Sequence, residues 1–279
     1  MGSTWSGLRR KSRGSRWRHE MAGLDGGGSV IAHRHGLRCR GDLSLLLAIM
    51  VVLAACSSGS SASPSQTVSP VDVSDGSLEA GTTYFIYETA RVVGPRWVVL
   101  TVPAPGWSST DNIVNKNPPG GSGLPLAKLS TWTIGNLKAD PCHWKAGALD
   151  PPVGPTVGEL SAALVEQAGP IEATSSDVTL GGYRGKKVEF SIPSNFDDTS
   201  CDEGVYSRWE AASEPGDWGG WIYGGGQREA VYILDVDGQR LVIDTWSRPA
   251  ASTADLAELD QIIASIRFEP RASSPSPSP

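Results

Sequence analysis

The chain has 279 residues, 39% of them hydrophobic and 19% charged, with a formal net charge of −6. Such a length and apolar content exclude a disulfide miniprotein and a wholly disordered chain, while 33 Gly and 20 Pro stay below collagen or low-complexity levels. The acidic balance excludes a general nucleic-acid binder, which needs a basic footprint. Charge is unevenly divided, however. Residues 1–55 carry nine Lys/Arg against three Asp/Glu, and residues 56–279 carry 15 against 27. A basic start and an acidic remainder point to two parts with different jobs.

Residues 1–42 are basic and rich in Gly and Ser, with nothing to pack, and read as a disordered extension and n-region. Arg34, Arg38 and Arg40 then precede an apolar run, Leu43 to Ala55. That run is an h-region in size and too short for a comfortable transmembrane helix, which needs about 20 residues. It ends in Leu53-Ala54-Ala55-Cys56, which resembles a bacterial lipobox. The resemblance implies that the Cys56 thiol receives a diacylglyceryl group and becomes the mature N-terminus. Acyl chains, at about 0.8 kcal/mol per buried CH₂, would hold the protein on the outer face of the cytoplasmic membrane. The exported part would carry a net charge of about −12, from its 15 bases and 27 acids, and anionic headgroups would repel it. The alternative is a core helix that happens to end in Cys.

Residues 56–81 read as a Ser-rich tether and 271–279 as a Pro/Ser tail, leaving a single domain over 82–270. Strand signals dominate that domain. Thr83–Thr89, Trp97–Pro103 and Leu129–Ile134 are β-branched and aromatic runs, and Tyr183–Ile192 alternates through Val188, Phe190 and Ile192. Ala230–Val236 and Arg240–Trp246 flank Asp237-Gly238, a type I′ hairpin signal. Thr156 with Glu159 and Ser252 with Asp255 read as helix caps. They precede the stripes Leu160, Leu164, Ala168 and Leu256, Leu259, Ile262, Ile263, Ile266. The expected fold class is α+β: a mainly antiparallel sheet packed against two amphipathic helices.

Beyond Cys56 the exported part has two thiols, Cys142 and Cys201. An even pair outside the cytoplasm reads as a disulfide; its rival is a Cys–His nucleophile, since His143 follows Cys142. Asp140-Pro-Cys-His-Trp144, Pro155-Thr-Val157, Ile233 to Asp244 and Ile263 to Phe268 resemble segments of actinobacterial surface lipoproteins, over about residues 83–269. The resemblance implies cell-surface location and a disulfide, and it assigns no activity. At fold level the pattern is also similar to the PsbP-like α/β/α sandwich, which licenses no function.

His143 is the only histidine after Cys56, so the usual zinc ligand sets are not to hand. No metalloprotease, nucleophile-elbow, P-loop or dinucleotide motif is present. Neither a cofactor nor catalysis is expected; the enzymatic alternative is a hydrolase using His143. Three features could carry binding: the aromatics Trp218, Trp221 and Tyr223 in a Gly-rich loop, the acidic run Asn195–Glu203, and the Pro/Gly-rich loop Asn117–Pro125. For each the plainer alternative is respectively aromatic packing on the sheet edge, a solvated acidic loop and an exposed connection. The expectation is a lipid-anchored, non-catalytic domain that binds an envelope ligand or protein, or serves as a structural subunit of a surface complex.

Overall fold

A computed structural model describes residues 70–86, 96–121, 123–169, 171–212 and 218–270. The chain divides into Met1–Ser61 and Ala62–Pro279, and all described residues belong to the second unit. The lipobox residues Leu53, Ala54, Ala55 and Cys56 lie outside the described residues.

In chain order the strands are β1 (Val71–Asp72), β2 (Gly76–Ser77), β3 (Thr83–Ile86), β4 (Arg96–Thr101), β5 (Trp107–Thr110), β6 (Ile113–Lys116), β7 (Ala127–Trp132), β8 (Ile134–Leu137), β9 (Glu172–Leu180), β10 (Tyr183–Ser191), β11 (Trp209–Ala211), β12 (Trp218–Gly219), β13 (Arg228–Val236), β14 (Gln239–Ser247) and β15 (Arg267–Pro270). Helix α1 spans Val157–Gln167 and α2 spans Thr253–Ala264. An eight-stranded antiparallel sheet runs β2-β5-β6-β7-β14-β13-β10-β9. A four-stranded sheet runs β1-β3-β4-β15, and a three-stranded one runs β12-β11-β8. The fold is therefore α+β, mainly antiparallel, with two helices and one disulfide.

The large sheet divides the core. On one face Leu129, Leu234, Leu241 and Ile243 pack with β4 residues and with Leu259 and Ile262 of α2. On the other, Trp132, Phe190, Val231 and Val242 pack with the three-stranded sheet and with Leu160 and Leu164 of α1. Three hairpins build the sheet, and each turns through two residues of positive φ: Asp111-Asn112, Gly181-Gly182 and Asp237-Gly238. That geometry matches the right-handed twist of the flanking strands.

Two boundaries differ from the sequence expectation. The fold starts before residue 82, because Val73 and Leu78 are buried and the Leu78 amide donates to the Trp107 carbonyl at 2.9 Å. Leu129–Ile134 is not one strand: the chain leaves the large sheet at Thr133 and enters the three-stranded sheet, where the Thr133 carbonyl accepts from Ala212. Both expected capping boxes form, Thr156 with Glu159 and Ser252 with Asp255.

Candidate functional site

The disulfide Cys142–Cys201 joins the two loops that flank the three-stranded sheet, with Cα atoms 4.4 Å apart. Around it, Asp140-Pro-Cys-His-Trp144 is folded onto the partner loop. The Asp140 carboxylate accepts from the amides of Cys142 and His143 at 2.9 and 3.0 Å, and the Trp144 indole donates to the carbonyls of Asp202 and Val205. The bridge consumes the thiol that a Cys–His nucleophile would need. His143 is exposed, with Nδ1 3.9 Å from Asp202 Oδ1, and Asp202 already accepts from the Lys145 amide at 2.9 Å. In the acidic run, Asp197 turns onto its own loop and accepts from the Thr199 amide and hydroxyl, which hold its pKa below the usual carboxylate value.

A denser cluster lies on the α1 face of the large sheet. Strand register aligns Lys128, Trp246 and Glu229 in one row across β7, β14 and β13, with Ser130, Asp244 and Val231 in the next. Because side chains alternate, all six point to the same side. Arg208, just before β11, completes the set. Its guanidinium pairs with Glu229, its Nε donates to the Gly220 carbonyl, and its Cζ lies 4.1 Å from the Phe190 ring centre. Lys128 Nζ stands 3.8 Å from Asp244 Oδ2 and 4.9 and 5.4 Å from the ring centres of Trp221 and Trp246. The Trp132 indole donates to Ser130 Oγ at 3.0 Å, and the Ser130 hydroxyl donates to Asp244 Oδ2 at 3.3 Å.

All four charged residues are at most 4% exposed. Removing four ions from water is costly unless they neutralise one another. Desolvation pushes the Glu229 carboxyl up to about 8; Arg208 pulls it down, and Asp244, hydrogen-bonded to it, pushes it up. With both carboxylates ionised, Glu229 Oε2 and Asp244 Oδ1 would each lack a hydrogen-bond partner. Glu229 thus holds its proton more tightly than an ordinary carboxyl does.

The Gly-rich loop roofs this chamber. Its backbone rests directly on aromatic rings: a Cβ at Gly219 would fall 2.6 Å from Trp209 Nε1 and 2.7 Å from Trp132 Cη2. Trp221 meets Trp132 edge-on at 6.0 Å, and Tyr223 lies 5.8 Å from Trp246. Gln227 ties the roof down, donating to the Trp221 carbonyl and accepting from the Tyr223 amide. Trp221 and Tyr223 are thus half-buried over charges, while the Trp218 side chain lies outside the described residues. Lys128, Arg208, Glu229 and Asp244 escape a motif search. Their signal is parity: in β14, Val242, Asp244 and Trp246 share a face, so a carboxylate falls at an inward position.

The loop that walls an open cleft is the Pro/Gly-rich one. Asn117, Pro118 and Pro119 face Ser77, Ala250 and Ser252 across a cleft of about 880 Å³, within the range of small-molecule sites. Beneath it Lys116 Nζ donates to the Pro105 carbonyl at 2.9 Å and pairs with Glu258 at 2.6 Å, while the Trp107 indole donates to the same Glu258 oxygen at 2.9 Å. No known protein-family model matches this chain, and no similar curated protein was found.

Proposed function

We propose that this chain is a lipid-anchored, non-catalytic extracytoplasmic domain that takes up an envelope-derived ligand in the Pro/Gly-walled cleft. The observation that carries the extracytoplasmic reading is the Cys142–Cys201 disulfide, since such bridges persist in oxidising compartments. Leu53-Ala54-Ala55-Cys56 adds the anchor. The cleft supports binding: its size suits a small ligand, half of its lining is Pro, Gly and Leu, and Ser77, Ser108 and Asn117 add polar side chains to it. Trp221 and Tyr223 support the site less directly, because their rings are turned to the interior.

Two experiments test this. Labelling cells with a fatty-acid analogue is expected to mark the protein and to fail with Cys56→Ser; equal labelling would remove the anchor from the reading. Titrating the protein with envelope glycan fragments, lipids and peptides, followed by calorimetry, is expected to give a response that Ala250→Trp abolishes by filling the cleft. A response unchanged by Ala250→Trp would move the ligand elsewhere, and a flat panel would leave the accessory-subunit reading, which cross-linking in membranes reveals.

A further inference from the structure

We propose that Lys128 and Asp244 join covalently, Lys128 Nζ to Asp244 Cγ, as an internal amide that staples β7 to β14, with Glu229 as the proton carrier for its formation. A primary amine and a carboxyl group 3.8 Å apart in an exposed ion pair would stay ions, because water stabilises both charges. Here Asp244 is fully buried and Lys128 is 3% exposed. Desolvation favours a neutral amide over the ion pair.

The surroundings supply the rest. Ser130 orients the Asp244 carboxyl, and Trp221 and Trp246 confine the lysine end, so the amine and the carboxyl are held beside one another. Glu229, buried and hydrogen-bonded to Asp244, keeps a proton where charge develops on the carbonyl.

The step balances. The Lys128 ammonium gives one proton to the Asp244 carboxylate, leaving amine and acid. The Nζ lone pair attacks Cγ, and the carbonyl electron pair moves onto the oxygen that Glu229 hydrogen-bonds. The second Nζ proton passes, through Glu229, to the other oxygen. The Cγ–O bond then breaks, the carbonyl re-forms and one water leaves. Nothing is oxidised or reduced, and Glu229 ends as it began. The charges of Lys128 and Asp244 vanish, and Arg208 stays paired with Glu229. The amide would close a loop that contains the whole disulfide-bonded segment, Cys142 to Cys201.

Peptide mapping of the purified full chain by mass spectrometry reads this directly and is indifferent to lipidation. Trypsin does not cut at an acylated lysine or before proline, so the linked product is Asn117–Lys138 joined to Leu241–Arg267, lighter than the two peptides together by one water. That species is the expected result. Complete recovery of cleavage after Lys128 and of an unjoined Leu241–Arg267 peptide would overturn the proposal, without any variant having to fold. Asp244→Ala is expected to abolish the linked peptide. In Glu229→Gln chains shown by circular dichroism to be folded, linkage is expected to fall at least tenfold in rate. Linkage as fast as in the unaltered chain would remove Glu229 from the step.

Discussion

The two faces of the eight-stranded sheet are formed by alternate residues of the same strands, yet they are closed in different ways. On the α2 face the interior is largely apolar and uncharged, and among the described residues its one buried cation, Lys116, sits at the rim, where it reaches Glu258, Asp255 and a backbone carbonyl. On the α1 face Lys128, Arg208, Glu229 and Asp244 lie at the sheet centre among Trp132, Trp209, Trp221 and Trp246. Apolar packing tolerates approximate neighbours, whereas buried ions demand particular ones. The α1 face is thus the more specific and the more fragile of the two.

The sharpest way to break that contrast is Arg208→Met, which leaves Glu229 without its guanidinium. A loss of about 4 kcal/mol in urea unfolding is expected, as for other buried pairs cut on one side. A loss under about 1 kcal/mol would show the chamber to be wet and the two faces alike. The next effect is in pH, read best in Lys128→Met, which cannot form the amide and removes none of the groups that set Glu229, namely Arg208 and Asp244. Glu229 rises from 4.5 unfolded to about 8 folded. Below the unfolded value both states hold the proton and the stabilisation is complete. Between the two values only the folded state holds it, so stability falls as pH rises, by at most about 1.4 kcal/mol per unit. Above 8 the loss is complete. Subtracting the profile of Lys128→Met/Glu229→Gln isolates this slope from carboxylates such as Asp237 and Asp255, whose lowered pKa values act in the opposite direction.

The apolar face is tested by Ile262→Ala. Ile262 is fully buried on α2, and its truncation is expected to cost about 3 kcal/mol through lost transfer energy and a cavity. Unlike the chamber variants, it should leave the slope with pH unchanged. A changed slope would mean that the two faces are coupled through the sheet.

How much of this could be read from the sequence follows the same division. The α2 stripe and the Asp237-Gly238 hairpin are local patterns, and both were legible because the residues that determine them are neighbours in the chain. The Asp111-Asn112 and Gly181-Gly182 hairpins were not, since in each the strand before the turn is largely polar and has no apolar alternation to mark it. The chamber was hidden for a different reason. Its members come from four separated segments, and only the pairing of β7, β14 and β13 brings Lys128, Asp244 and Glu229 together. Aromatics in the sequence mark the Trp/Gly loop, but not that Trp221 and Tyr223 face inward onto charge.

The smallest difference between the faces lies at the helix N-termini. Both helices carry the same reciprocal cap. Thr156 Oγ1 accepts from the Glu159 amide at 3.2 Å while Glu159 accepts from the Thr156 amide at 2.9 Å, and Ser252 and Asp255 do the same at 3.1 and 2.9 Å. Removing either hydroxyl frees one amide and is expected to cost about 1 kcal/mol. The carboxylates are held differently, however. Among the described residues Glu159 takes its side-chain hydrogen bonds from Thr156, whereas Asp255 also lies 3.7 Å from Lys116, which is itself fixed on Glu258. After Ser252→Ala, Lys116 keeps Asp255 in place to accept the remaining cap amide; after Thr156→Ala, Glu159 keeps only the longer-range pull of Arg240, which forms no ion pair with it among the described residues. Thr156→Ala should therefore cost a few tenths of a kcal/mol more than Ser252→Ala in paired urea unfolding. The reverse order would mean that the Lys116 rim does not reinforce α2, and that the apolar face holds its helix by packing alone.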